Sequence, residues 1–145
     1  MIWFLLALAA ALFGLYNVFI KLAADHVEAV LGAVILQFVA ALFGLGLLTW
    51  MRFAEGGTMQ ASPRGIVLAV LAGVAIGMVE VLTFVVYGRG ISVAVGNPLI
   101  VGGSLLVTTG IGVALLREAL TPLQILAIVL VAAGLGLLAW EAARA

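Results

Sequence analysis

Of the six basic and six acidic side chains in this sequence, all but Glu80 stand between, or at the ends of, five long apolar runs. The runs are Ile2 to Ile20, Ala29 to Met51, Gly65 to Gly88 around that one acid, Gly90 to Leu116, and Ala119 to Trp140. A helix that crosses the hydrocarbon of a bilayer needs roughly 20 apolar residues, and every run is long enough. Apolar side chains recur on all faces of each run, as in helices hydrophobic all round. Only 8% of the residues are charged, against about 25% in a typical soluble domain, too few to build a water-facing surface. The expected fold is therefore all-α and integral to the membrane. It has five transmembrane helices at about 2–22, 29–51, 64–87, 91–116 and 121–141, in one domain spanning 1–145 with no soluble part.

The joints agree with this division. Asp25-His26-Val27-Glu28 separates the first two helices, and His26, between acids in a joint, is given no role. The longest joint runs from Arg52 to Arg64, with Gly56-Gly57 and a Ser62-Pro63 start signal for the third helix. Gly88-Arg89-Gly90 is a tight joint, and Pro122 stands near the first position of the fifth helix. Joints this short make successive helices antiparallel. The first run lacks a basic leader and a cleavage site, so it reads as a spanning helix and not as a signal peptide.

Several chemistries lack their parts. With no cysteine there is no disulfide framework, thiolate metal site or cysteine nucleophile. There is no His-Glu-x-x-His pair, no phosphate-binding glycine loop and no second acid within the runs for a general acid/base pair. The expectation is a non-enzymatic protein without cofactor or metal. Zero net charge and the lack of a basic run speak against nucleic acid as a partner.

Orientation is balanced. Five spans place Arg52, Arg64 and Arg117 on the side of the N-terminus, and Lys21, Arg89 and Arg144 on the other. The positive-inside rule has nothing to choose between. Two readings stand: a weak bias resolved by other means, or dual topology, in which the same chain inserts both ways and pairs antiparallel. Inverted-repeat transporters place two opposed halves around a midplane site, and dual topology makes that arrangement from one chain.

Glu80 is the most informative residue. An acid near the middle of a spanning helix costs about 3 kcal/mol on insertion scales, so such groups mark ion, proton or substrate paths. It reads as a carboxylate that holds a proton or a cation, or else as a neutral acid hydrogen-bonded to a neighbouring helix. Asn17, Gln37 and Asn97 join it as polar residues within the runs. Counted along alternating helices, all four fall in one half of the bilayer, in a band of roughly 5 Å, as a single chamber would require. On the third helix Gly73, Gly77, Glu80, Phe84 and Tyr87 share a face. The glycines suit a close helix crossing. Phe84 and Tyr87 offer aromatic faces to a cationic or planar substrate, although Tyr87, like Trp3, Trp50 and Trp140, also suits an interfacial anchor. On the fourth helix Asn97, Val101, Ser104 and Thr108 align, with Ser104 and Thr108 the weaker candidates for lining a cavity because hydroxyls commonly bond within their own helix. Pro98 leaves one carbonyl without its donor. Ala132 and Gly136 make a packing face on the fifth helix, suited to a dimer, and Lys21 is expected to reach toward the interface.

Phe13-Gly14-Leu15-Tyr16-Asn17-Val18-Phe19-Ile20-Lys21 resembles the aromatic-Gly-x-x-x-x-x-x-Lys opening of EamA-type repeats in the drug/metabolite transporter superfamily. Asn97-Pro98-Leu99 stands where that family has the proline of its fourth helix. Glu118-Ala119-Leu120-Thr121-Pro122-Leu123-Gln124 is similar to its Glu-x-Leu-Thr-x-x-Gln turn, and Gly134 and Gly136 fall in its glycine-containing last helix. Phe13 replaces the usual Trp, and Ala127 a usual Gly. The resemblance covers one five-helix repeat, essentially the whole chain. It implies export or exchange of metabolites, amino acids, amines or drugs across a bacterial inner membrane, without a cofactor. Since members typically carry two opposed repeats, it implies a second copy of this chain in an antiparallel homodimer, or an oppositely oriented homologous subunit. Glu118 would be structural, in a turn. Glu80 lies outside the shared pattern and rests on its chemistry alone. Two other functions fit the same helices: a lipid-linked flippase subunit needing a sister chain, and a non-transporting assembly subunit of the membrane.

Overall fold

The computed structural model describes residues 1–56 and 61–144, of Glu55 the backbone alone; Gly57, in the longest joint, lies outside them. Five α-helices follow one another: α1 (Ile2–Ala24), α2 (Ala29–Glu55), α3 (Pro63–Gly88), α4 (Val93–Ala114) and α5 (Pro122–Ala142). No strand occurs among the described residues. All five are long and apolar enough to cross a membrane.

The helix ends follow local backbone chemistry. The second apolar run stops at Met51, but α2 continues through Arg52 to Glu55 and ends at Gly56, which adopts the left-handed conformation with φ 60° and returns its N–H to Arg52 O. A charge at the head of a helix does not terminate it, whereas a residue free to take positive φ does. At the start of α3 the Ser62 hydroxyl accepts from the Gly65 N–H at 3.1 Å, with Pro63 in the first turn. α4 is shorter at both ends than its apolar run: Ser92, in extended backbone, stands at its N-cap position without a side-chain capping bond, and the chain leaves the helix after Ala114. Beyond it Arg117 takes positive φ (57°), and the Glu118 N–H returns to Gly112 O at 3.0 Å. α5 then opens on a full capping box, with Thr121 Oγ1 accepting from the Gln124 N–H and Gln124 Oε1 accepting from the Thr121 N–H. These reciprocal bonds satisfy two donors that a helix start leaves free. They explain locally the Thr-x-x-Gln spacing of that turn.

The helices form two compact units, Met1–Gly90 and Ile91–Ala145. In the first, α3 packs against both α1 and α2, which touch each other less. The side-chain contacts of this unit gather where α1 ends, α2 begins and α3 ends. Asn17, Ile20, Ala33, Thr83, Phe84 and Tyr87 are all buried there. The opposite ends, residues 2–13 of α1, 38–54 of α2 and 63–76 of α3, are exposed throughout. In the second unit α4 and α5 lie side by side, and Gly102 admits Leu135: a Cβ at Gly102 would meet that side chain at 2.5 Å.

Candidate functional site

The candidate site is built inside the first unit, mainly from one face of α3. Glu80, Thr83, Phe84 and Tyr87 succeed one another at the spacing that stacks side chains on one side of a helix, and all four are buried. Glu80 is only 3% exposed, and its Oε2 has no hydrogen-bond partner among the described residues. Tyr16, on α1, lines the same space as the carboxyl. Buried polar atoms are nearly always partnered, so an oxygen left open is a position waiting for a donor. Thr83 is satisfied within its own helix, its hydroxyl donating to Val79 O at 2.8 Å.

Two hydrogen bonds fasten the last turns of α1 and α3. Tyr87, fully buried, donates its hydroxyl to Asn17 Oδ1 at 3.3 Å. The Asn17 amide in turn donates to Phe13 O at 2.9 Å, so both of its ends are engaged. Lys21 does not simply extend to an interface: its Nζ donates to Tyr87 O at 2.8 Å, with Asp25 Oδ1 3.9 Å away. Tyr87 O also accepts from the Gly90 N–H at 3.0 Å, so the lysine adds a second donor to a carbonyl at the end of the neighbouring helix. Phe84 closes the side toward α2 by resting on Gly32. A Cβ there would lie 2.6 Å from the ring, so only glycine admits it.

Above this fastened end lies a cavity of about 990 Å³, lined by side chains from all three helices. Glu80, Tyr16 and Gln37 supply its polar groups; Gly73, Phe13 and Phe43 are among its other walls. Its size is at the upper end of the range for small-molecule pockets. Gly73 and Gly77 divide their roles. The Gln37 amide lies over Gly77, its Nε2 reaching Gly77 O at 3.5 Å, whereas nothing stands within 4 Å of a Cβ at Gly73, which leaves space in the cavity. Phe13 and Tyr16 stack at 5.3 Å between ring centres. A second, apolar cavity of about 460 Å³ lies between α1 and α2, with Phe84 in its wall.

The remaining residues singled out from the sequence belong to the second unit. Asn97 is half-buried on α4, and its Oδ1 has no partner among the described residues. Pro98 sits inside α4 without ending it. Ser104 bonds back to Val101 O at 2.7 Å, and both it and Thr108 are exposed in the chain. On α5 Ala132 is half-buried with Ile128, Leu135 and Leu138, while Gly136 is exposed with open space before it. The Glu118 carboxylate lies over Gly112, at the end of its own hairpin and apart from any described cavity. Among the described residues no three acids or histidines gather as a metal site.

No family model, curated protein or solved structure matches this chain. The site therefore stands on its own geometry. Tyr16 and Gly32 are among the members not singled out beforehand. Tyr16 sits next to Asn17 in the sequence, and a tyrosine hydroxyl within an apolar run needs a partner; that was the available signal. Gly32 carried none that set it apart from the chain's other glycines.

Proposed function

We propose that this chain is a multi-pass membrane transporter that exchanges small molecules against protons or other cations, with Glu80 as the coupling carboxylate. The observation that carries this reading is the buried Glu80 carboxyl, one oxygen of which has no partner among the described residues, in the wall of a large cavity whose neighbouring helix ends are fastened together. A carboxyl with an open acceptor can hold either a proton or a cationic group, but not both at once, and that exclusion is the basis of exchange. A cavity with its fastened contacts at one end and exposed helix ends at the other is the arrangement alternating access needs. Five helices of spanning length satisfy their backbones internally, as the hydrocarbon demands. The resemblance to EamA-type repeats of the drug/metabolite transporter superfamily supports the same function and a place in a bacterial inner membrane. The three-against-three balance of basic residues across the helix ends supports insertion in both orientations and an antiparallel homodimer.

The test is solute-driven current and pH-gradient-driven uptake in proteoliposomes, with panels of amines, amino acids and lipid-linked sugars. Wild-type protein exchanges a soluble solute in a pH-dependent manner. Glu80→Gln loses that exchange while expression and dimerisation persist. Unchanged transport by Glu80→Gln removes the coupling role. Movement of lipid-linked substrates alone makes the chain a flippase subunit, and no flux of any kind makes it an assembly subunit.

A further inference from the structure

We infer that the ligand of the Glu80 cavity is a monocationic amine on an apolar body, and not an amino acid or other carboxylate. This inference rests on the transport reading of that cavity and narrows it. The first ground is what the cavity offers. Glu80 Oε2 is buried without a partner among the described residues, and Glu80 is one of the side chains in the wall of the 990 Å³ space. An ammonium N–H supplies the missing donor, and its charge neutralises the carboxylate in a charge-assisted hydrogen bond. The stacked rings of Phe13 and Tyr16, and the ring of Phe43, border the same space. Aromatic faces attract cations. Leu12, Leu36, Val39 and Ile76 complete a wall that matches an apolar body.

The second ground is what the chain lacks. A carboxylate on the ligand would need a fixed positive partner, because a charge buried without one is strongly unfavourable. The cavity wall contains no lysine, arginine or histidine. None of its residues lies in the first turn of a helix, where free N–H groups could hold an anion. The deficit extends to the whole sequence. Lys21, Arg52, Arg64, Arg89, Arg117 and Arg144 all stand at the ends of the apolar runs, and Lys21 is already bonded to Tyr87 O. A second copy of the same chain would bring another Glu80 and no cation at that depth. Zwitterions and anions are thereby excluded by charge, whatever their size.

Three ligands with the same phenyl body separate the classes: 2-phenylethylamine, phenylalanine and 3-phenylpropionate, with 2-phenylethanol as the neutral control. Binding to the purified full-length protein is measured by calorimetry in detergent. The amine binds at least about tenfold more tightly than the zwitterion or the anion. Glu80→Gln weakens the amine by about tenfold or more and leaves the alcohol within about twofold, while Glu80→Asp keeps the preference for the amine. Equal or tighter binding of phenylalanine or phenylpropionate overturns the inference, as does a failure of all three to bind. The transport reading fails separately: amine binding that depends on Glu80, without pH-driven flux in vesicles, leaves the ligand class standing and removes transport. Flux of another solute without amine binding does the reverse.

Discussion

Replacing Gly32 by alanine tests how the fastened end of the first unit is held. The new Cβ would stand 2.6 Å from Phe84 Cε1 and 2.7 Å from Cζ. Carbon atoms pack without repulsion at about 3.5–4.0 Å, so the ring must retreat by roughly 1 Å. Phe84 is only 4% exposed, on the same helical face as Glu80 and Tyr87, and has little room to do so. Forcing an extra methyl into a packed interior costs about 1–3 kcal/mol. Against this, Gly→Ala inside a helix is favourable by up to about 1 kcal/mol. The net expectation for Gly32→Ala is a loss of about 0–3 kcal/mol. In a Phe84→Ala background the clash is absent and only the favourable part remains, so the same substitution is neutral or stabilising by up to about 1 kcal/mol. The assay is a double-mutant cycle by denaturing-detergent titration in mixed micelles, read by helical circular dichroism. A coupling of about 1–3 kcal/mol is expected. If Gly32→Ala has the same effect with and without Phe84, within about 0.5 kcal/mol, the ring does not rest on this glycine and the packing argument fails.

Two further substitutions test single hydrogen bonds. Tyr87→Phe removes the donor to Asn17 Oδ1 and leaves that buried acceptor open, with an expected loss of about 0.5–1.5 kcal/mol by the same titration; an unchanged midpoint would mean that the α1–α3 link rests on Lys21 alone. Thr121→Ala breaks the capping box of α5 and is expected to cost about 1 kcal/mol, whereas Thr121→Ser keeps the hydroxyl and most of the stability. Equal losses in the two variants would assign the effect to the methyl group instead.

The helical architecture was legible because charge is so sparse that its spacing marks every joint. Helix ends were less so. Arg52 reads as the edge of an apolar run, but α2 stops only at Gly56, where the backbone can turn. Glu80 stood out as the one acid within a run. Tyr16, which lines the same cavity, did not, because an aromatic residue in such a run looks like any other apolar surface. Lys21 has the same history: a lysine at the end of an apolar run suggests an extended side chain, and only the packing of α1 on α3 shows that a helix-end carbonyl is within reach. Asn17 reads as a residue open to a ligand, yet both ends of its amide are bonded within the protein. Sequence spacing locates polar residues in depth, but whether they are available is decided by their neighbours.

We propose that the chain crosses the bilayer at every helix and pairs with an inverted copy of itself. The chain has no native cysteine, so His26→Cys and Ala61→Cys, in the first and second joints, each provide one labelling site. Intact cells are treated with an impermeant thiol reagent and then with a permeant one. Each site is then labelled from outside in roughly half of the molecules, since half present each joint to either face. Complete labelling of one site and complete protection of the other would show a single orientation and contradict self-pairing. Complete labelling of both would place them on one face and contradict the crossing of α2 itself.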